Sequence, residues 1–220
     1  MAAEESTEMA DQNQTEFDPE ETLQMPARPA PLPEDAAPDT FRPAQKDEEQ
    51  FRAEQERINE MIAAGTPLSE ILSNLLLMIE AQSPEMLGSI LLLSDDGNHV
   101  KHAVAPSLPE NYVKAIDGSP IGPKNGSCGT AMFRGKPVIV SDISTDPLWD
   151  EYRNFAWAIG MAACWSTPIM SSKGKVLGSF AMYYREPHAP NGDERHLTDV
   201  ATRLAAQAIE HNAKREHAGP

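Results

Sequence analysis

Apolar positions recur with helical spacing in three parts of the chain and with strand spacing in several others. In DEEQFRAEQERINEMIAAG, from Asp47, the positions Phe51, Glu54, Ile58, Met61 and Ile62 fall near a helical period, and Gly65 stops the run. Thr66-Pro67 restarts a helix, with Thr66 as expected N-cap and Pro67 at the first helical position. Leu68, Ile71, Leu72, Leu75, Leu76 and Ile79 then form one stripe, and the helix should end before Pro84. The third helical pattern spans Asp193–Ala213, with Leu197, Val200, Ala201, Leu204, Ala205 and Ile209 on its apolar side.

Between these helices lie shorter runs. Leu87–Leu93 and His99–Ala105 flank Asp95-Asp96-Gly97-Asn98, which is strong turn chemistry, so they read as a hairpin. Pro109–Ile116 reads as a short helix and Ser127–Arg134 as one or two turns ended by Gly135. Pro137–Ser141 is an expected strand, Asp146–Ile159 an expected helix, and Ala163–Met170 and Lys175–Tyr184 expected strands joined at Lys173-Gly174. The order α-α-β-β-α-α-β-α-β-β-α pairs strands locally. It predicts an α+β domain with a mostly antiparallel sheet.

Charge separates the first segment from the rest. Of 220 residues, 34 are acidic and 18 are Lys or Arg, a net of −16. Residues 1–50 hold 14 acidic and 3 basic side chains, a net of −11, and 7 of the 19 prolines. Such a segment buries too little apolar surface to offset its ordering entropy, so 1–45 is expected to be a disordered acidic, Pro-rich tail. A short docking motif around Phe17 or Leu23 is the alternative use of it. The expected organisation is then a helix over 46–65, one domain over 66–213 and a flexible end at 214–220. The acidic balance excludes a general nucleic-acid binder, which needs a basic face, and disfavours anionic lipid. No run approaches the ~18 apolar residues of a membrane helix. The N-terminus MAAEESTEMADQ is not that of a signal peptide, and two cysteines make no disulfide scaffold, so the expected compartment is the cytoplasm.

Four strings, in order, resemble the GAF family of small-molecule sensor domains. They are Ile121-Gly122-Pro123 with Gly126-Ser127-Cys128-Gly129-Thr130-Ala131; Pro137-Val138-Ile139-Val140-Ser141-Asp142-Ile143; Ala163-Cys164-Trp165-Ser166-Thr167-Pro168-Ile169; and Gly174-Lys175-Val176-Leu177-Gly178-Ser179-Phe180-Ala181. The resemblance covers about residues 58–213. It implies a six-stranded, mostly antiparallel sheet with helices on both faces, and a ligand pocket covered by the third and fourth helices. It also implies first and last helices that sit together and pair between subunits. In bacteria such domains feed histidine kinases and cyclic-nucleotide enzymes. This sequence leaves no room for a kinase core or a cyclase, and His211 lies too near the end for a phospho-acceptor arrangement with its own catalytic domain. The expected output is a signalling partner protein or dimerisation.

Candidate chemistry centres on the same strings. If Ser127 caps the short helix, Cys128 lies in its first turn, where backbone N–H groups favour a thiolate. The segment also resembles the free methionine-R-sulfoxide reductases, GAF-fold enzymes that use cysteines for attack and resolution, and Cys128 matches their G-x-C-G-T-A cysteine. Their upstream partner position falls near Gly118, which is no cysteine, and Cys164 lies inside the strand rather than before it. The plain alternative for both cysteines is core packing. Cys164 and Trp165 are adjacent on a strand, so only one faces the pocket.

In the GAF reading, 142–160 forms a lid. Trp149 and Tyr152 would stack a planar ligand, Cys128 and Trp165 are further expected ligand contacts, and Arg153 or Asp142 would add polar contacts. The plain alternative is that the aromatics fill the space between lid and sheet with no ligand. Ser127, Thr130, Ser166 and Thr167 would hydrogen-bond a ligand or the backbone. His99 and His102, three apart on a strand, lie on opposite faces and suit no shared metal site. Neither cysteine precedes a histidine, so bilin attachment has no support, and haem has no specific signal. HExxH, CxxC, GxxxxGK and GxSxG are all missing. The sequence therefore predicts a dimeric small-molecule sensor without a catalytic domain of its own and with no cofactor assigned. A thiol redox enzyme at Cys128 and a ligand-free dimerisation module are the alternatives.

Overall fold

A computed structural model of the chain describes residues 45–218. The segment expected to be disordered lies outside them, apart from Gln45, which opens the first helix. Helices α1 (Gln45–Ala64) and α2 (Leu68–Glu80) lead into strands β1 (Leu87–Leu93) and β2 (Val100–Val104). Helices α3 (Glu110–Ile116) and α4 (Gly126–Arg134) follow, then β3 (Val138–Val140), a 3-10 turn at Pro147–Trp149 and α5 (Arg153–Ala158). Strands β4 (Ala163–Met170) and β5 (Val176–Tyr184) and helix α6 (Gly192–Ala218) complete the domain.

The sheet runs β2-β1-β5-β4-β3 with every neighbouring pair antiparallel, so the fold is α+β. It has five strands among the described residues, where six were expected. The place of the sixth is taken by Gly118–Ile121 at the outer edge of β2. There Gly118 N–H bonds Val100 O (2.9 Å), Val100 N–H bonds Ser119 O (2.8 Å) and Ile121 N–H bonds Asn98 O (2.8 Å). Pro120 has no N–H to donate, so the ladder shrinks to one bridge opposite His99.

Strand alternation sorts side chains into two layers. Ile90, Ala163, Trp165, Ile169, Phe180, Met182 and Tyr184 face α1, α2 and α6, where they meet Leu72, Leu75, Leu76, Ile79, Leu204 and Ala205. Val138, Val140, Cys164, Ala181 and Tyr183 face the other way, beneath α3, α4, α5 and the turn carrying Trp149. Helices thus cover both faces of the sheet.

Local chemistry fixes several boundaries. Gly65 ends α1 at φ 71°, with Gly65 N–H bonding Ile62 O and Thr66 N–H bonding Met61 O, both 3.1 Å. Pro67 rather than Thr66 is the N-cap of α2, with extended ψ 135° and no side-chain cap. The expected helix over 146–159 is broken. Asp146 accepts the Leu148 N–H at 2.8 Å and ends the extended chain, and Arg153 starts a separate helix. Helix α6 continues past 213 to Ala218, so the end expected to be flexible is helical up to there, and residues 219–220 lie outside the description.

The start of α6 is a reciprocal cap. Glu194 N–H bonds Asn191 Oδ1 and Asn191 N–H bonds Glu194 Oε2, both 2.9 Å. The buried Glu194 also accepts from Tyr184 O–H (2.9 Å) and pairs with His188 Nε2 (2.8 Å). Burial, with the Glu194 charge added, pushes the Tyr184 phenol far up, so it remains a proton donor. Trp165 stacks on His188 at 5.0 Å between ring centres and donates its indole N–H to His188 O (3.0 Å).

Candidate functional site

The site lies on the face of the sheet opposite α6. Helix α4 crosses β4 and β5 because Ser127, Thr130 and Ala131 present small, fully buried side chains to the strands. Ser127 joins three elements: its hydroxyl donates to Cys164 O (2.9 Å) and accepts the Trp149 indole N–H (3.0 Å). It therefore braces sheet and lid and does not cap α4. The N-cap position belongs to Asn125, which uses no side-chain cap bond. Its amide instead donates to Tyr152 OH (3.1 Å). Ser127→Ala removes both bonds and leaves the buried indole N–H unpaired. It is expected to cost about 1–3 kcal/mol, read as a lower urea midpoint at unchanged slope.

A cavity of about 80 Å3 opens beneath these residues. Its floor is Leu91, Val100 and Tyr183; its walls are Tyr112, Ala115 and Ile116 of α3 and Gly126–Gly129 of α4. Trp149, Tyr152 and Phe155 form the roof, with Ser119, Pro120 and Asn125 at the side. The lining is largely apolar, with few polar groups, which is the usual make-up of a small-molecule site. The volume is below the ~300 Å3 of a typical ligand pocket, so a ligand of ordinary size requires the roof to move.

The expected site residues divide clearly. Ser127, Cys128, Trp149 and Tyr152 line the cavity. Thr130 is turned inward, and its hydroxyl accepts Asn125 N–H (3.1 Å). Ser166 is on the cavity face of β4 but deeper, with no hydrogen-bond partner among the described residues. Trp165 and Thr167 point to the other face, since they alternate with Cys164 and Ser166. Asp142 folds its own loop, accepting Ser144 N–H (2.8 Å) and Ser144 O–H (2.5 Å). Arg153 ties the same loop down, donating to Ile143 O (2.9 Å), Asp146 O (3.1 Å) and Asp150 Oδ1 (2.7 Å). Asp142 and Arg153 thus shape the roof and are not among the lining residues.

Tyr183 is the main residue that sequence patterns did not single out. Its ring packs edge-on against Tyr112 (6.0 Å, 87°), and its hydroxyl lies 3.1 Å from Ser89 Oγ and 3.7 Å from Cys128 Sγ. Burial pushes the Tyr112 and Tyr183 phenols well above their ordinary range, so both stay neutral. The Cys164 thiol and the Tyr183 hydroxyl favour the Cys128 thiolate and lower its pKa against the effect of burial. Burial raises Cys164, and the neighbouring Cys128 adds to the shift. Both thiols are free. His99 sits at the hairpin turn, paired with Asp96 at 2.7 Å, and is not among the lining residues. Among the described residues no cluster of His, Cys, Asp or Glu could hold a metal ion, and no helix is long and apolar enough to cross a membrane.

Comparison with known proteins gives three kinds of match. The GAF domain family profile matches residues 65–210. The chain is 39% identical over 166 residues to a methyl sulfide methyltransferase-associated sensor of Methanosarcina acetivorans, covering 76% of this chain and 17% of that protein. The chain thus spans about a sixth of the length of that relative. Among solved structures, a domain of a putative two-component sensor histidine kinase from Sinorhizobium meliloti superposes with TM-score 0.56 at 23% identity, covering 70% of this chain and 96% of that one. A free methionine-R-sulfoxide reductase from Neisseria meningitidis superposes with TM-score 0.57 at 17% identity, covering 79% and 96%. At these identities the structural likenesses concern the fold.

Proposed function

This chain belongs to the GAF domain family, and on that premise we propose that it is a cytoplasmic small-molecule sensor acting in signal transduction as a dimer. The observation that carries the reading is the apolar cavity roofed by Trp149, Tyr152 and Phe155 over Leu91 and Tyr183. Its aromatic lining suits stacking of a small planar molecule, with Asn125 and Tyr152 as polar handles. The identity of the relative from Methanosarcina acetivorans, a sensor by name, supports the same reading.

The route from cavity to output is short. The loop that becomes the roof leaves β3 at Ser141, whose carbonyl accepts His188 N–H at 2.9 Å. His188 in turn pairs with Glu194 in the first turn of α6. A ligand that binds the open and closed roof unequally shifts their populations, and this contact passes the shift to α6. Helix α6 lies beside α1, with Arg203 donating to Gln55 Oε1 at 3.3 Å. Leu77 of α2 is half exposed next to Glu54 and Arg57 of α1, which offers a second copy an apolar contact with a charged rim.

A fluorimetric melting screen with indole, benzimidazole and similar planar fragments tests this. At about 100 times Kd a fragment adds ~2.7 kcal/mol, which is roughly 5–10 °C in Tm for a chain of this size. Ala115→Trp at the exposed mouth of the cavity should abolish the shift while leaving the unliganded Tm nearly unchanged. No shift with any fragment, or the same shift in Ala115→Trp, would favour a dimerisation module whose roof aromatics only fill space. The second reading, redox chemistry at Cys128, is favoured by a separate observation, the place of its thiol in the cavity wall 3.7 Å from the Tyr183 hydroxyl.

A further inference from the structure

We propose that the cavity selects a neutral planar heteroaromatic whose ring nitrogens or oxo groups accept hydrogen bonds from the Tyr112 and Tyr152 hydroxyls. This names the ligand class and rests on the reading of the cavity as a small-molecule site. No Asp, Glu, Lys, Arg or His is among the residues that line it. An ion moved there from water loses its hydration and meets no side chain of fixed opposite charge. The one lining thiol, Cys128, already faces the Tyr183 hydroxyl at 3.7 Å. A neutral ligand avoids the cost of burying a charge. Tyr112, Trp149, Tyr152, Phe155 and Tyr183 give that ligand aromatic faces and edges to pack on.

The hydrogen bonds around the cavity decide which neutral ligand fits. Most polar groups of the lining have partners inside the protein. Ser127 donates to Cys164 O (2.9 Å) and accepts the Trp149 indole N–H (3.0 Å). The Tyr183 hydroxyl lies 3.1 Å from Ser89 Oγ. Asn125 gives its backbone N–H to Thr130 and its amide N–H to Tyr152, both at 3.1 Å. Tyr152 is the acceptor in that bond, so its own proton has no acceptor among the described residues. Tyr112 is 5% exposed in the α3 wall, and its hydroxyl makes no hydrogen bond to another described residue. Ser119 can add a third contact at the side.

Two phenols are thus left with protons to give, one on α3 and one in the roof. Burial keeps the Tyr112 phenol neutral, so it offers a proton and not a charge. A buried O–H without an acceptor is costly, and an acceptor on the ligand removes that cost. A ring with two acceptor atoms would be held from wall and roof at once. A hydrocarbon ring fills the same space but leaves both protons unpaired.

The test uses the full chain, titrated calorimetrically into quinoxaline and into naphthalene, which has the same shape without the ring nitrogens. It is repeated with Tyr112→Phe and Tyr152→Phe, each of which removes one hydroxyl and keeps the ring. The expected result is a quinoxaline Kd raised about fivefold or more in each variant, with the naphthalene Kd changed by less than about twofold. In the unmodified chain N-methylquinoxalinium should bind at least about tenfold more weakly than 2-methylquinoxaline, its neutral match in size. Tyr112→Phe should leave the unliganded Tm nearly unchanged, because its hydroxyl has no partner to lose. A ratio of quinoxaline to naphthalene Kd that stays the same in either variant would overturn the proposal, and so would a preference for the cation. Failure of quinoxaline to bind overturns it too. Binding of naphthalene in that case leaves the small-molecule site standing, and binding of no probe removes both.

Discussion

Trp149→Ala is expected to cost about 3–5 kcal/mol of folding stability, the usual range for deleting a buried tryptophan. Trp149 is 3% exposed and belongs to the buried cluster with Ile143, Ala156, Met161 and Cys164, which seats the roof on the sheet. Its indole is also the donor that joins the roof to Ser127. The ring holds together a segment with little regular structure of its own, one 3-10 turn and one six-residue helix. Amide exchange over residues 147–158 should therefore accelerate more than exchange in β4 and β5. A loss below about 1 kcal/mol with unchanged exchange would mean that the roof is not anchored through this side chain.

Gly178→Val should be at least as damaging, with an expected loss above about 3 kcal/mol or failure to accumulate folded protein. β-propensity alone predicts the opposite sign, because valine suits a strand better than glycine. Gly178 sits on β5 opposite Leu92 of β1 and Ile169 of β4. A Cβ there would collide with the Leu91 carbonyl oxygen and lie 3.0 Å from Leu92 Cα, both backbone atoms of the paired strand. Backbone in the middle of a sheet cannot yield as a flexible side chain does. The β1–β5 pairing, which supplies Leu91 and Tyr183 to the cavity floor, would open. Equal or higher stability in urea denaturation would show that β1 approaches β5 less closely than described.

Much of the fold was legible because its elements carry one-sided patterns. The stripe from Leu68 to Ile79, the turn at Asp95–Asn98 and the α6 pattern each bury one face, so period and punctuation located them. The β4 string was legible as a strand but not as a pair of faces. ACWSTPIM is buried on both sides, so no polar alternation marks which residues meet the cavity. Pattern alone therefore groups Trp165 and Thr167 with Ser166. Asp142 and Arg153 looked like ligand contacts because they are charged and near aromatics. The structure spends their hydrogen bonds on neighbouring backbone and side chains. The sixth strand failed at Pro120, a residue that sequence shows but whose position in a ladder it does not. The contact of Cys128 with Tyr183 and the bond from Ser127 to Cys164 O depend on where α4 crosses the sheet, which no local pattern encodes.

The central claim is that the space under Trp149, Tyr152 and Phe155 is a working small-molecule site. Native mass spectrometry of the chain, after incubation with a cellular small-molecule extract and removal of unbound material, tests it most directly. The expected result is a dimer whose folded mass exceeds the denatured mass by a small molecule on each chain, and loss of that added mass in Ala115→Trp. A folded chain with no added mass, or the same added mass in Ala115→Trp, would contradict it.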